Sequence, residues 1–282
     1  MKVFVTGGTG FIGSHVINQC HGAGHEVLAL RRPGSRPRVP LDREPTWIEQ
    51  AIDADFGQAF VGVDAVVHLA SHTPNPPYDS LEICLYWNVY AAVRMARQAV
   101  AAGVSRFLVA GSCFEYGSAA ESQDFIATST ALQPLLSYPT SKAAASIAFM
   151  GMAREHRLEL EVLRIFQVYG EGEQASRFWP SLREAAYSGR DFPMSAGEQL
   201  RDFVEVRDVA RQIVAALAFR GIEAGQPRVR HVASGHAQTL LEFAEHWWRH
   251  WGATSRLIAG ALPYRQNEIM RLVPAIDPAE AR

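Results

Sequence analysis

Tyr138 and Lys142 stand four residues apart in the run Tyr138-Pro139-Thr140-Ser141-Lys142. An α-helix repeats about every 3.6 residues, so positions four apart share a face. A helix starting here aims a phenol and an ammonium the same way. A cation near a phenol favours the phenolate. A free tyrosine has a pKa of about 10, and bringing it toward 7 takes roughly 4 kcal/mol of differential stabilisation. Such a pair suits the movement of a proton. Taken alone, the spacing equally describes a surface pair on an ordinary helix. The elements ahead of it decide.

The chain opens with Val3-Phe4-Val5, a short apolar, β-rich run. It leads into Thr6-Gly7-Gly8-Thr9-Gly10-Phe11-Ile12-Gly13 and then a helical stretch from Ser14 to Gly22. Gly8, Gly10 and Gly13 satisfy G-x-G-x-x-G, and Gly7, Gly10 and Gly13 the looser G-x-x-G-x-x-G. Both place backbone N–H groups and a helix N-terminus against a pyrophosphate. The order strand, glycine loop, helix is the context a dinucleotide site requires. The second strand, Glu26 to Leu30, ends in Arg31-Arg32, and no acid occurs between Leu28 and Pro40. An acid here would bond a ribose 2′-hydroxyl, whereas guanidinium groups bind a 2′-phosphate. NADP(H) is therefore expected over NAD(H). Two solvated loop arginines would leave the missing acid unexplained.

Trp47 to Ile52 reads as a third strand and Asp64 to Ala70 as a fourth, running apolar as buried parallel strands do. A proline-rich loop follows from Thr73 to Tyr78. Asp79-Ser80-Leu81-Glu82 fits a capping box, opening a helix to about Ala102. Leu81, Leu85, Val89, Val93 and Ala96 form its apolar stripe, for a core or an interface. Arg106 to Ala110 is a fifth strand that delivers Gly111-Ser112-Cys113-Phe114-Glu115-Tyr116-Gly117 at its C-terminal end, where open parallel sheets bind ligands. Ser112, Tyr138 and Lys142 then read as one catalytic site, with a helix-capping serine as the plainer account of Ser112.

Together these segments resemble an extended short-chain dehydrogenase/reductase of the nucleotide-sugar epimerase, dehydratase and reductase family. The resemblance rests on the glycine loop, Val67-His68-Leu69-Ala70, Asn88, Gly111-Ser112 through Tyr116-Gly117, and the Tyr138/Lys142 pair. It implies a Rossmann-type α/β fold, a doubly wound parallel sheet with a small C-terminal substrate-binding lobe. Residues 1–166 would form the NADP(H)-binding domain, with a returning strand near 229–233, and 167–282 mostly the interleaved substrate lobe. Tyr138 would give or take the proton, Lys142 would tune it and hold the nicotinamide ribose, and Ser112 would bond the reacting oxygen. Cofactor contacts would fall on Gly7, Gly10, Phe11, Ile12, Gly13, Arg31, Arg32, Ile52, Leu69 and Ala70. Sugar-nucleotide 4,6-dehydratases of the family carry Asp-Glu directly after the hydroxyl residue. Cys113 and Phe114 stand here, so dehydration lacks its acid and base. Glu115, one place late, is expected to face away from the site as a structural residue.

Leu160 to Ile165 is a sixth strand, running into Phe166-Gln167-Val168-Tyr169-Gly170. Gln167 and Glu171 stand where the family usually has Asn and Pro, and both positions touch the substrate mouth. Gly197 to Val204 resembles the segment whose arginine, here Arg201, grips the nucleotide diphosphate. An acid partner for Arg201 is the plainer reading. Gly260 to Arg265 resembles the late loop that supplies a second arginine, Arg265. Glu242 to Trp251 is an amphipathic helix with His246 and His250 four apart, but with no third ligand no metal is expected. Family members often continue beyond the position of Arg282, so the expectation is a lobe that is short or that lacks its last part.

The 282 residues are 48% hydrophobic and 20% charged, enough apolar material for a large core in one or two domains. A formal charge of −2 shows no footprint for nucleic acid or an anionic membrane. No apolar run approaches about 20 residues. Three cysteines without metal-ligand spacing suit a reducing cytoplasm. The leading expectation is an NADPH-dependent 4-ketoreductase acting on a nucleotide-activated 4-keto-6-deoxyhexose, working as a homodimer. The alternatives are a nucleotide-sugar 4-epimerase, reduction of a carbonyl without a nucleotide, and an inactive NADP(H)-binding sensor or regulator.

Overall fold

A computed structural model describes residues 1–276. The first part of the chain alternates strand and helix: β1 (Lys2–Thr6), α1 (Phe11–Gly22), β2 (Glu26–Arg31), β3 (Thr46–Glu49), β4 (Ala65–His68), α2 (Leu81–Leu85), α3 (Ala92–Ala101), β5 (Arg106–Ser112), α4 (Ser137–His156) and β6 (Glu159–Ile165). The second part holds β7 (Gln167–Tyr169), α5 (Phe178–Tyr187), β8 (Phe192–Pro193), β9 (Leu200–Glu205), α6 (Val206–Ala216), β10 (Arg228–Val232), β11 (Ala237–Thr239), α7 (Leu240–His250), β12 (Leu257–Ile258) and β13 (Arg271–Leu272).

Seven strands make one parallel sheet in the order β10-β6-β5-β4-β1-β2-β3. This is the doubly wound Rossmann arrangement. The direction of winding reverses between β1 and β4, which opens a crevice at their C-terminal ends. Side chains alternate across each strand. Val3 and Val5 therefore enter one core with Ile17, Val67 and Ile213, and Phe4 enters the other with Met95, Phe107 and Phe149. Helices α1 and α6 pack together over the first face. A smaller sheet, β11-β9-β13 with β7 on β9, lies beyond with α5 and α7 and the β8/β12 pair. Among the described residues no helix is long and apolar enough to cross a membrane.

Three local expectations change. Strand β3 stops at Glu49, so Ile52 lies in the turn that follows. The long helix from residue 79 is capped by Ser80, whose hydroxyl accepts from Ile83 N, while Asp79 accepts from His72 Nε2 at 3.0 Å. That helix is also broken into α2, a π-turn over Tyr86–Ala91, and α3. The wider turn rotates the buried face. Cys84, Asn88, Ala92, Met95, Ala96 and Ala99 are buried, whereas Leu81 of the expected stripe is 40% exposed. Helix α7 begins two residues early, because Thr239 and Glu242 form a reciprocal cap.

Candidate active site

The glycine loop closes on itself, with Gly10 N donating to Gly7 O at 2.9 Å. A β-carbon at Gly13 would meet Gly7 O at 2.1 Å, and one at Gly7 would meet Ala70 N at 2.8 Å. Glycine is therefore required at Gly7 for the loop to lie this close to the end of β4, and at Gly13 for α1 to start against the loop. Thr6 ties the two sides of the crevice: its hydroxyl bonds His68 Nδ1 at 2.8 Å and accepts from the N–H groups of Leu69 and Ala70, each at 3.1 Å. Helix α1 starts after Gly10 with no side-chain cap and no acid in its first turn. Its first N–H groups and its dipole are thus available to an anion, and this end fits a dinucleotide pyrophosphate. Phe11 and Ile12 are half-buried at that end, and Ile52 packs from the turn after β3 against the second core.

Arg31 and Arg32 part company in the structure. Arg31 Nε lies 3.3 Å from a Glu49 carboxylate oxygen, and its guanidinium sits over the Trp47 ring at 4.9 Å. Glu49 comes from the neighbouring strand, so the local sequence around Arg31 does not announce it. Arg32 is exposed, as are Arg36 and Arg38 further along the same loop. The loop is held beside the glycine turn by Thr9 Oγ1 on Ser35 and by Arg38 N on Ser14 Oγ at 3.0 Å. Arg36 and Arg38 are candidates that sequence reasoning passed over, though both lie in the acid-free stretch that singled out Arg31 and Arg32.

Tyr138 and Lys142 occupy the first turns of α4, and both are buried. Asn88, in the π-turn, sets this end of the helix. Its Nδ2 donates to Ser141 Oγ at 2.9 Å, Ser141 Oγ donates to Tyr138 O at 2.8 Å, and Asn88 Oδ1 accepts from His72 N at 2.7 Å. A π-turn that aims a polar side chain inward fits the usual placement of such turns near functional sites. Lys142 Nζ donates to Ala110 O at 2.6 Å. Burial pulls Lys142 below its ordinary value, and Glu115 pulls it back up. Burial drives the Tyr138 phenol well above its ordinary value, opposed by a hydrogen bond with Ser71. The expected lowering by Lys142 is not seen: its ammonium is bonded to Ala110 O, and desolvation dominates the phenol.

Ser112 ends β5 and caps a 3-10 turn over Cys113–Tyr116, accepting from Phe114 N at 3.2 Å. Its capping and active-site readings are compatible, because a hydroxyl that accepts at one lone pair still has its proton to donate. Cys113 is buried and its thiol is pushed up to about 12 by desolvation, so it supplies no base beside Ser112. Glu115 does not face away. It turns back beneath β5 and accepts from Ser112 N at 2.7 Å.

On the substrate side, Gln167 is half-buried at the start of β7. Arg201 is buried, and its guanidinium is shared among Leu200 O, Ile269 O and a Glu268 carboxylate oxygen at 2.8 Å. Arg265 is exposed. The Tyr78 ring lies over that of Tyr138 at 5.3 Å. The charges of Arg177 and Arg265 both act on the Tyr78 phenol, against the larger effect of its burial. Arg177, unremarked in the sequence, thus joins this end of the cleft, paired with Glu173 at 3.4 Å. Among the described residues no cluster of His, Cys, Asp and Glu is placed to hold a metal ion.

This fold and crevice define a nucleotide-binding enzyme class, and the comparisons give its family. The model of the NAD dependent epimerase/dehydratase family matches residues 3–227, and the chain belongs to that family. It is 30% identical over 269 residues to a dTDP-4-dehydro-6-deoxy-D-allose reductase of Streptomyces sp, covering 86% of this chain and 78% of that one. It is 27% identical over 282 residues to a UDP-glucose 4-epimerase of Neisseria meningitidis serogroup C, covering 86% and 80%. The solved structure of MoeE5 in complex with UDP-glucuronic acid and NAD superposes with a TM-score of 0.83 at 26% identity, covering 100% of this chain and 92% of that one. The chain is therefore of a nucleotide-sugar oxidoreductase, epimerase and dehydratase family, whose structural neighbour binds a nicotinamide cofactor.

Proposed function

We propose that the protein reduces the 4-keto group of a nucleotide-activated 4-keto-6-deoxyhexose with NADPH. The observation that carries this reading is Tyr138 itself, buried at the start of α4 with Lys142 one turn on and with no acid and base for dehydration at Cys113 and Phe114. Burial holds its phenol protonated, which suits a group that must donate a proton to a new alkoxide. Ser112 donates its hydroxyl proton to the carbonyl oxygen and polarises it. Lys142, fixed on Ala110 O, holds the ribose side of the site. When bound, the reduced nicotinamide supplies the hydride. Cys113 and Phe114 give no acid and base for dehydration, and the allose reductase relative agrees with reduction. Arg32, Arg36 and Arg38 take the 2′-phosphate.

We assign residues 1–166, with β10, to the cofactor and most of 167–282 to the substrate. Gln167 lies at the sugar end. Arg265 and Arg177 face the diphosphate, and Arg201 joins them by releasing Glu268. Binding energy gathered at the diphosphate positions the keto group without taking part in the chemistry. The site works in a cytoplasmic homodimer.

A 4-epimerase is the second reading. The epimerase relative, the NAD named with MoeE5 and the Arg31–Glu49 ion pair favour it. The nucleotide that survives purification separates the two. Acid extraction of the purified protein should release little NAD if it is a reductase that exchanges its cofactor. A stoichiometric yield of NAD would overturn the reductase reading in favour of the epimerase.

A further inference from the structure

We propose that a second cleft, separate from the catalytic groups, binds the pyranose ring of a neutral saccharide. It lies between β7, α5, α7 and the start of α6, and holds about 350 Å³, at the small end of ligand pockets. The rings of Tyr169, Trp179, Tyr187, Trp247 and Trp251 line it. Tyr187 is 64% exposed, and Trp247 and Trp251 are half-buried, so part of this aromatic surface is open rather than core. None of Ser112, Tyr138, Lys142, Gln167, Arg201 and Arg265 is on its wall. Glu171, expected at the substrate mouth, is. Its carboxylate lies 3.0 Å from Arg183 Nη1, and its carbonyl is bonded to His15 Nε2 of α1 at 2.9 Å.

Charge, ring geometry and polar edges together choose the guest. Glu171 and Glu205 are matched by Arg183 and Arg207, so the wall favours neither sign. A cation would also meet competition, because Arg183 already lies over Trp179 at 5.6 Å and over Tyr187 at 5.7 Å. Trp179 meets Trp247 at 87° and Trp251 at 64°. These walls make no parallel slot, so a flat base would stack on one face only. The C–H faces of a pyranose carry slight positive charge and settle on the negative face of an aromatic ring. Around the rings stand planar polar groups that bond hydroxyls: the Glu171–Arg183 pair, and Arg207 and His250, exposed at the edge. Trp179 is nine-tenths buried, and its Nε1 donor has no acceptor among the described residues. Buried donors are normally paired, and a guest rich in oxygen brings acceptors to this wall. A pyranose is neutral, apolar on its faces and hydroxylated at its rim, and so answers each of these features.

The test needs no turnover. Three of the six tryptophans line the cleft, so intrinsic fluorescence reports on it. The full chain is titrated with the methyl glycosides of glucose, galactose and rhamnose at millimolar concentration. At least one should give a saturable change. Tyr187→Ala and, separately, Arg207→Ala should each weaken that binding by about fivefold, the usual worth of one ring contact or one hydrogen bond. Both side chains are exposed, so circular dichroism and NADPH binding should match the wild type. No saturable change with any of the three sugars overturns the proposal. So does binding that is unchanged in both variants, which would place the sugar in the catalytic crevice. Choline or adenosine bound more tightly than every methyl glycoside, and weakened by the same substitutions, would give the cleft to a cation or a base and overturn it too. Failure of the sugar-reductase reading would leave these titrations unchanged, and would appear only as lack of turnover.

Discussion

Arg31 and Glu49 form an ion pair at 3.3 Å across two neighbouring strands, over the face of Trp47. This relationship divides the labour between two arginines that look equivalent in sequence. A guanidinium already paired in charge with a carboxylate and stacked on Trp47 has less to offer a 2′-phosphate than an exposed one. Arg32→Ala should therefore raise the Michaelis constant for NADPH more than Arg31→Ala does. The double variant should lose most of the preference for NADPH over NADH. Steady-state kinetics with both cofactors measure this. Equal use of NADH and NADPH by the unaltered protein would remove the argument.

Glu173 makes stability depend on pH. Burial raises its carboxyl from 4.5 to about 7, and Arg177 only partly opposes this. Between those values the folded protein holds a proton that the unfolded chain has released, so stability falls as pH rises through this window. Glu173→Gln cannot lose that proton. The gain in melting temperature of Glu173→Gln over wild type should be small at pH 5 and larger at pH 8. The same difference at both pH values would show that Glu173 titrates normally.

Assembly should follow the apolar surface of two helical segments. Leu81, Ile83, Tyr86 and Tyr90 are exposed on α2 and the π-turn, and Ile147 is 59% exposed on α4, which packs beside them. Light scattering at micromolar concentration should give the mass of a dimer. Tyr90→Glu should shift it toward the monomer by placing charge on that surface. A monomer mass for the wild type would dismiss the dimer.

Much of the fold was legible because its signals are local. Val3-Phe4-Val5 before Gly7, Gly10 and Gly13 specifies strand, loop and helix within a dozen residues, and the sheet order follows from winding rules. Tyr138 and Lys142 were legible by helical spacing. What was hidden depends on groups far apart in sequence. Glu49 reaches Arg31 from the next strand, Glu268 occupies Arg201, and Arg164 turns Glu115 inward. The π-turn at Asn88 was hidden for another reason: no composition marks it, and the hydrogen bond that Asn88 makes from it reaches Ser141 on another helix.

The account turns on Tyr138 as the proton donor to a reduced sugar carbonyl. The most direct test follows NADPH consumption against 4-keto-6-deoxy sugars made in situ on thymine, cytosine, guanine and uracil nucleotides, with wild type and Tyr138→Phe side by side. Phenylalanine keeps the ring packed against Tyr78 and removes only the hydroxyl. At least one keto sugar should drive NADPH oxidation by the wild type. Tyr138→Phe should turn it over about 10²–10⁴ times more slowly, the usual worth of a positioned general acid, with NADPH affinity little changed. A Tyr138→Phe enzyme with near-normal turnover on that substrate, or a wild type inert toward the whole panel, would contradict the account.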